Sequence, residues 1–477
     1  MLILLSILLP VVGAVLVFRE KDNEKRHRLT LIALTAASVT ALCAGLFSGE
    51  LTLLRLSDAV ALRFASDELS LCFVILVSFI WCLVQFHAFG YMEHEGKEAQ
   101  FFGFFLLTYA ALAALAFARN AFTLYMCFEL MTLCSMPMVL HNGSEESRRA
   151  ALAYLGYSTL GASLALLGFF LLAGQGNTLD FSAGGGKLIG DEKTILAAAF
   201  LIILGFGAKA GMVPLQMWLT EAHPVAPSPA SAVLSGLITK SGVLSIVRCT
   251  FFLFGRETLE GSWMQTAILT LAVITVFTGS MLALREKLLK KRLAYSTVSN
   301  VSYVLFGLFS FHTLGILGAL LQVLFHALAK DALFLCAGSV IFATGHTKVD
   351  ELKGIGKRMP VTMWCFALAS LSLIGIPPMG GFIAKYDLAL GALSGGSVLG
   401  IVGVVVLMVS ALLTAFYLLP IVASAFFPGR DFKAGERCEV PRKMLVPPMV
   451  FAGLTVLLGM FPLFSELLSA MISGWLN

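Results

Sequence analysis

Charged residues are scarce in this sequence. Asp, Glu, Lys and Arg make up 13% of the 477 residues, hydrophobic residues make up 58%, and the mean hydropathy is +0.90. Soluble proteins carry about 25% charged and about 45–50% apolar residues. The composition therefore excludes a soluble multidomain enzyme, a disordered chain and a nucleic-acid-binding protein. It predicts a polytopic membrane protein.

Clustered metal ligands are also lacking. The nine cysteines include no C-x-x-C pair, and the eight histidines include no H-x-x-x-H pair. These spacings argue against an iron–sulfur cluster and a zinc site, although a haem between two distant histidines stays open. The stretch GFGAKAG at 205–211 lacks the G-x-G-x-x-G spacing of a dinucleotide loop. We therefore expect no cofactor, no metal and no redox centre in this chain.

Long apolar runs fill the sequence. A span across a hydrocarbon core of ~30 Å needs about 20 residues. The first run has no A-x-A cleavage pattern, which predicts a retained span and not a signal peptide. The predicted fold is an all-α polytopic membrane protein. Its fourteen predicted spans are 2–18, 29–48, 69–91, 101–118, 121–141, 150–173, 194–217, 228–254, 264–284, 294–311, 313–343, 361–391, 397–427 and 445–470.

The basic residues indicate an orientation. If the loop at 19–28 faces the cytoplasm, loops on that side hold 22 Lys and Arg residues, among them Lys290, Arg430 and Lys433. The opposite side, to which Arg248 is assigned, holds 7. Positive charge concentrates in the cytoplasmic loops of membrane proteins. The split predicts an even number of spans, with both termini outside.

Four lysines remain inside predicted spans: Lys209, Lys240, Lys330 and Lys385. Glu129 is the only acid in its span. An ionisable group at the centre of a span costs roughly 2.5–3.5 kcal/mol on insertion scales. One such lysine could snorkel to an interface or form a structural ion pair, but four with a carboxylate favour proton handling. A desolvated ammonium gives up its proton readily, whereas a nearby carboxylate stabilises the ammonium. Movement of a carboxylate would therefore switch a lysine between holding and releasing its proton, and Glu129 is the natural partner for this role.

Two of these lysines lie beside helix-breaking sequence. Lys209 precedes Pro214 in GFGAKAGMVPLQMW, and Lys385 follows Pro377 and Pro378 in GIPPMGGFIAKYDLAL. Broken helices occur at membrane depth where the freed backbone lines a cavity or is otherwise satisfied. Interruptions at matching places in two halves are typical of inverted-repeat transporters. A simple proline kink is the alternative for each span.

Two histidines extend the candidate site. His326 and Lys330 lie at i and i+4 on one helix face in LFHALAKDALFL, which favours a proton relay over a hydrogen-bonded core histidine. Asp331 lies roughly 100° around the helix from Lys330, so we expect it to make a different contact. His223, in TEAHPVAPSPASA, is either a proton-uptake group or a loop residue, and both interpretations stay open.

Five passages together resemble one membrane protein family. They are FELMTLCSMPM, AKAGMVPLQMWLTEAHPVAPSPASAVLSGLITKSGVLSIVR, KRLAYSTVSNVSYVLFGL, HALAKDALFLCAGSVI, and DELKGIGKRMPVTM with SLIGIPPMGGFIAK. This pattern resembles the antiporter-like subunits shared by respiratory complex I, Mrp cation/proton antiporters and energy-converting membrane hydrogenases. The resemblance implies two inverted five-helix repeats with broken spans 7 and 12. The repeats are at 101–254 (inward half-channel) and 264–427 (outward half-channel), between N-terminal spans in 1–100 and a last span in 445–477.

The resemblance also implies roles for single residues. Glu129 is similar to the glutamate of the fifth span, which in this family pairs with a lysine of the seventh span, here Lys209. Lys240 is similar to the bridging lysine of the eighth span. His326 and Lys330 are similar to the relay of the eleventh span.

The remaining positions include two departures from the family. Lys385 is similar to the residue at the outward half-channel, where some members carry Glu. Asn300 stands where many members carry His, and Asp331 stands where small residues are usual. The passage around 346–385 is more similar to the Mrp and hydrogenase branch than to the complex I subunits.

The leading hypothesis is a proton-translocating subunit of a larger complex in a prokaryotic inner membrane. Protons would pass from the cytoplasm among the buried lysines and His326 and leave through Lys385. The implied partners are the lipid bilayer, other antiporter-like and small membrane subunits, and a peripheral redox arm. An Mrp-type Na⁺/H⁺ antiporter subunit and a structural scaffold with an inactive channel are the alternatives. Whether the parent complex is an oxidoreductase stays open.

Overall fold

The computed structural model describes residues 1–47, 49–55, 60–429, 435–461 and 463–476. Arg430 and Lys433, which the sequence assigns to the cytoplasmic side, lie outside the described residues. The α-helices are α1 Leu2–Arg19, α2 Asn23–Phe47, α3 Glu68–Glu95, α4 Glu98–Ala116, α5 Ala121–Val139, α6 Glu145–Gly174, α7 Glu192–Ala210, α8 Met217–Val225, α9 Ser228–Val233, α10 Thr239–Val247, α11 Arg256–Leu259, α12 Trp263–Arg285, α13 Leu289–Leu308, α14 Thr313–Thr344, α15 Ile355–Arg358, α16 Pro360–Ile374, α17 Gly380–Ser394, α18 Val398–Phe426, α19 Arg442–Met460 and α20 Leu463–Leu476. Two π-helical segments, Leu234–Ile238 and Arg248–Phe254, flank α10, and a 3-10 helix covers Val349–Leu352.

Twelve helical segments in the described part of the chain are long and apolar enough to cross a membrane. They coincide with twelve of the fourteen predicted spans. The other two predicted spans correspond to α13, whose first turn carries Lys290, Lys291 and Arg292, and to the separate 15-residue helices α16 and α17. The polytopic helical fold is confirmed, whereas the count of fourteen and the two inverted repeats stay predictions.

A small β-hairpin departs from the all-α prediction. β1 (Leu51–Arg55) pairs antiparallel with β2 (Ala61–Phe64) between α2 and α3. Arg63 anchors the hairpin, since its guanidinium donates to Asp180 at 2.8 Å and its backbone N–H donates to the Thr123 hydroxyl at 2.9 Å. Strands of 5 and 4 residues are too short to be detected by a search for apolar runs of about 20 residues.

Three basic residues that the sequence assigns to one or other face of the membrane are buried: Arg26, Arg248 and Lys290. The guanidinium of Arg248 donates to both carboxylate oxygens of Asp67, the residue that caps α3, and to the Ser70 hydroxyl at 3.1 Å. Two-pronged arginine–carboxylate contacts are among the strong hydrogen bonds in proteins. Lys290 is 6% exposed and donates to the carbonyl oxygen of Ala226. The loop assignment is wrong for Lys290, because it lies in α13 and finds an acceptor in the interior, whereas Arg248 lies within the predicted span 228–254 and binds a partly exposed carboxylate.

Both predicted helix breaks are present. Residues 211–216 separate α7 from α8, and residues 375–379 separate α16 from α17. The residue after the first helix of each pair is a glycine in the left-handed region, Gly211 (φ 84°) and Gly375 (φ 89°). Glycine tolerates this conformation because it has no Cβ. Each break therefore begins with a helix-terminating glycine.

Close packing of α6 against α7 positions Lys209. A Cβ added at Gly161 of α6 would lie 2.5 Å from the carbonyl oxygen of Gly205 and 2.6 Å from the Ala208 Cβ. Small residues of this kind let membrane helices approach closely. The contact lies one turn of α7 before Lys209, so it sets the distance of this lysine from α6.

We expect Gly161→Ala to lower the free energy of unfolding by about 1–3 kcal/mol, because the added methyl group forces α6 and α7 apart. The measurement is the thermal unfolding midpoint of the detergent-solubilised protein. Gly156→Ala on the same helix is the matched control, since a Cβ there meets no atom within 4 Å. Equal midpoints for the two variants would contradict the close contact.

Candidate functional site

Lys209 lies in a buried pocket of hydroxyl groups and aromatic rings. Its ammonium donates hydrogen bonds to the hydroxyls of Thr132 (2.8 Å), Tyr154 (2.8 Å) and Ser158 (3.0 Å). The same nitrogen lies 5.5 Å from the ring centroid of Trp218. An ammonium has three donors, and all three are satisfied here without a carboxylate. The pocket is built by α5, α6 and the two halves of the first broken span.

Glu129 does not contact Lys209 in this structure. Among the described residues, no ion pair within 4.0 Å joins them. Glu129 is half-buried, its Oε1 has no hydrogen-bond partner in the described part of the chain, and it lies one turn before Thr132 on α5. Thr132 on the same helix accepts a hydrogen bond from Lys209, so Glu129 lies one turn from a group that binds this lysine. The Glu129–Lys209 pair therefore stays a prediction about a different arrangement of the same side chains.

Lys240 and His326 are in direct contact. The Nζ of Lys240 lies 2.6 Å from the Nδ1 of His326 and donates to the Ser235 carbonyl oxygen at 2.6 Å. Both side chains are buried, and His326 Nε2 has no partner among the described residues. Ser235 belongs to the π-helical segment before α10, and its carbonyl also accepts from the Thr239 hydroxyl. The sequence predicts both residues as site members but does not predict that they touch.

Lys330 binds oxygen atoms of α13. Its Nζ donates to the Leu293 carbonyl oxygen at 2.8 Å and to the Ser296 hydroxyl. Asn300 lies one turn further along α13, where its amide donates to the Ser296 carbonyl oxygen at 2.8 Å. The amide oxygen of Asn300 accepts from Gln322 at 3.2 Å. Lys330 and Asn300 are thus connected through Ser296.

Lys385 binds the end of the preceding half-helix. Its Nζ donates to the carbonyl oxygens of Leu373 (2.7 Å) and Ile374 (3.0 Å), which are the last residues of α16. The C-terminal end of a helix carries a partial negative charge that favours a cation. At the first break the comparable contact comes from Trp218, whose Nε1 donates to the Ala208 carbonyl oxygen at 2.8 Å. In both breaks a side chain of the second half-helix donates a hydrogen bond to a backbone carbonyl oxygen near the end of the first half-helix.

Polar side chains on one face of α13 lie between Lys330 and Lys385. Ser296, Asn300 and Tyr303 are spaced i, i+4 and i+7, which places them in one stripe along a helix. Ser296 binds Lys330, and the Tyr303 ring centroid lies 5.0 Å from the Nζ of Lys385. Sequence reasoning missed Ser296 and Tyr303, although their spacing is visible in AYSTVSNVSY.

The hydroxyls around Lys209 were also missed, and no sequence signal distinguishes them. Thr132, Tyr154 and Ser158 resemble many other hydroxyl residues in apolar spans, and two helices must pack against α7 before they converge. His223 is fully buried, which excludes an exposed loop residue. Both of its ring nitrogens lack a partner among the described residues, and its ring stacks on Phe334 with centroids 4.7 Å apart.

The chain matches a described protein family over most of its length. Residues 118–414 match the family described as "NADH:quinone oxidoreductase/Mrp antiporter, TM", and residues 57–102 match the N-terminus of chain 5 of NADH-ubiquinone oxidoreductase (complex I). The first match covers more than half of the chain. The chain therefore belongs to the NADH:quinone oxidoreductase/Mrp antiporter transmembrane family, and it is a multi-pass membrane protein.

Curated relatives come from three kinds of protein. NADH-quinone oxidoreductase subunit N of Desulforudis audaxviator is 34% identical over 83% of this chain and 81% of its own length. Hydrogenase-4 component B of Escherichia coli is 32% identical over 83% of this chain, which spans 62% of that relative. A Na⁺/H⁺ antiporter subunit of Alkalihalophilus pseudofirmus is 28% identical over 96% of this chain and 93% of its own length. The resemblance inferred from the five passages is confirmed.

Solved structures agree on the fold. A chain of the membrane-bound sulfane sulfur reductase, an archaeal respiratory membrane complex, superposes with a TM-score of 0.88 at 21% identity, covering 100% of this chain and 98% of that one. A chain of the Mrp complex from Dietzia sp. gives a TM-score of 0.84 at 21% identity, covering 100% and 99%. The described helices therefore adopt the antiporter-like fold.

We expect His326→Ala to lower the thermal unfolding midpoint, because the buried ammonium of Lys240 loses an acceptor worth about 1.5–3 kcal/mol. Adding Lys240→Met should recover most of this loss, since a buried unpaired charge costs more than an apolar side chain of similar size.

The control is His346→Ala, since this side chain is 39% exposed and its contact with Glu351 lies at the surface. Additive losses in the Lys240→Met/His326→Ala double variant would show that the two side chains do not depend on each other.

Proposed function

We propose that this chain translocates protons as an antiporter-like subunit of a multisubunit membrane complex. The observation that carries the proposal is the contact between Lys240 and His326, two titratable groups at hydrogen-bond distance in the buried interior of a membrane protein. Such residues inside spans are expensive and mark ion or proton pathways. A lysine that bonds a neutral imidazole can hand over its proton, whereas a permanent ion pair would hold it.

The proposed route uses the groups predicted from the sequence. Protons reach the interior from the cytoplasm, with His223 as the uptake candidate, and pass among Lys209, the Lys240–His326 pair and Lys330. The polar face of α13 then leads to Lys385, where the proton leaves. Rearranged water and side chains connect the gaps between these groups, because only some of them are in direct contact here.

Glu129 acts as the gate in this proposal. It lies beside the hydroxyl pocket of Lys209 with an oxygen that has no partner among the described residues, so a small movement converts a hydroxyl-bound lysine into an ion-paired one. Forming or breaking one close charge pair changes proton affinity by about 1–4 kcal/mol. Moving one charge against 100 mV costs ~2.3 kcal/mol. One pair-switching event therefore suffices for each proton.

The two half-channels follow the proposed repeats. The segment 101–254 contains the first break and would open inward, and the segment 264–427 contains the second break and would open outward. Residues 1–100 and 445–477 would enclose them. The excess of basic residues in one set of loops supports a prokaryotic inner-membrane location with both termini outside.

Other membrane subunits are the proposed partners. The relatives are named as a subunit of NADH-quinone oxidoreductase, a component of hydrogenase-4 and a subunit of a Na⁺/H⁺ antiporter, and the similar folds belong to membrane complexes. We infer that this chain sits beside antiporter-like and small membrane subunits. A redox arm outside the membrane would supply the energy if the parent complex is an oxidoreductase.

We expect Lys385→Ala to reduce proton translocation by about 10²-fold or more, since it removes the proton carrier at the outward end. The measurement is proton uptake, driven by an imposed membrane potential, into vesicles that contain the copurified complex. Lys187→Ala is the control, because Lys187 is an exposed lysine between α6 and α7. Wild-type uptake with Lys385→Ala would refute the role of Lys385. Absence of uptake in the wild type would favour the inactive scaffold.

The Na⁺/H⁺ antiporter is the second candidate function, supported by the antiporter relative that covers 96% of the chain. Sodium prefers several oxygen ligands, and the buried site is richer in lysine than in carboxylate, so we favour protons as the transported ion. We expect proton uptake to persist when choline replaces all sodium in the vesicle assay. Uptake that requires sodium on the opposite side would reverse this preference.

A further inference from the structure

Asp331 is a buried acid that the proposed route does not use. It lies on α14 beside Lys330, it is 0% exposed, and neither of its carboxylate oxygens has a hydrogen-bond partner among the described residues. An ionised carboxylate in that state would cost several kcal/mol, so a group in this position neutralises by holding a proton or changes partner. Packing alone does not require an acid here, because an apolar side chain of similar volume would fill the space without this cost.

The carboxyl group of Asp331 points at the turn that holds Lys240. It packs against Gly236 in the π-helical segment, so closely that a Cβ on Gly236 would lie 2.6 Å from Oδ1. The preceding residue, Ser235, provides the carbonyl oxygen that accepts from the Nζ of Lys240. The carboxyl thus packs against the same turn that binds the ammonium. Glycine at position 236 leaves the room that this approach needs.

We infer that Asp331 is a proton donor of the central site, which restores the proton of Lys240 after this lysine has protonated His326. The inference rests on the proposed function and adds to it an acid that packs against the turn that binds Lys240. The titratable side chains of the proposed route on α8, α10 and α14 are His223, Lys240, His326 and Lys330, and none of them is an acid.

The transfer balances in two steps. Lys240 first gives one proton to Nδ1 of His326, which leaves a neutral amine and an imidazolium. The imidazolium releases the proton on its free Nε2, and tautomer exchange then moves the remaining proton from Nδ1 to Nε2, so that Nδ1 is again an acceptor. The Asp331 carboxyl then gives its proton to the amine, which leaves a carboxylate beside a restored ammonium. The carboxylate accepts the next proton from the uptake side, which returns Asp331 to its neutral form.

Asp331→Asn is the matched test, because it keeps the shape of the side chain and removes the exchangeable proton of the acid. The assays are vesicle proton uptake and the infrared C=O band of protonated carboxyl groups at about pH 7, where exposed carboxyls are ionised. We expect uptake to fall about 10²-fold or more and the band to lose the part that Asp331 contributes. Asp350→Asn, which removes an exposed acid, should leave both readouts unchanged.

Two outcomes would overturn the inference. Wild-type uptake with Asp331→Asn would show that Lys240 regains its proton elsewhere, and an unchanged infrared band would show that Asp331 holds no proton. If the asparagine variant does not assemble, Asp331→Ala provides the same two readouts. Failure of the proposed function is recognised separately, because the wild type would then show no uptake while the infrared band still reports on Asp331.

Discussion

The need to keep lysine ammonium groups inside an apolar interior constrains this structure more than any other interaction. Each ammonium must replace the water it loses, and each one does so differently. Lys209 binds three hydroxyls, Lys240 binds an imidazole and a carbonyl, Lys330 binds a carbonyl and a hydroxyl, and Lys385 binds the end of a helix. None of these partners carries a full negative charge. The lysines are therefore solvated without being fixed in the charged form, which suits groups that must exchange protons.

The irregular backbone supplies several of these partners. The break after α16 exposes the carbonyls that hold Lys385, and the π-helical turn before α10 carries the carbonyl that holds Lys240. Irregular backbone is tolerated at membrane depth only where its polar groups are satisfied. The lysines and the breaks thus stabilise each other. At the second break the cation is a lysine, whereas at the first break the Nε1 of Trp218 satisfies the carbonyl of Ala208.

Two acids of the interior lack the close hydrogen-bond partners that the lysines have. Glu129 and Asp331 each lie beside a lysine, yet each has an unpartnered carboxylate oxygen in the described part of the chain. The contact of the buried Arg248 with the partly exposed Asp67 shows a permanent ion pair in the same protein, with more than one hydrogen bond between the two groups. A charge with fixed partners, such as that of Arg248, stabilises the fold, whereas a group with an unpartnered oxygen, such as Glu129 or Asp331, is free to change partner.

The sequence by itself determined the membrane class, the two helix breaks, the family and the four lysines within spans. These features depend on composition, on proline and glycine positions and on charges in apolar runs, all of which are local. Only the tertiary structure decided the partners: the hydroxyl pocket of Lys209, the contact of Lys240 with His326, the burial of Lys290, and the approach of Asp331 to Gly236. These contacts join residues far apart in the chain. They depend on how each helix is rotated and how closely it packs, and neither property is encoded in a local pattern.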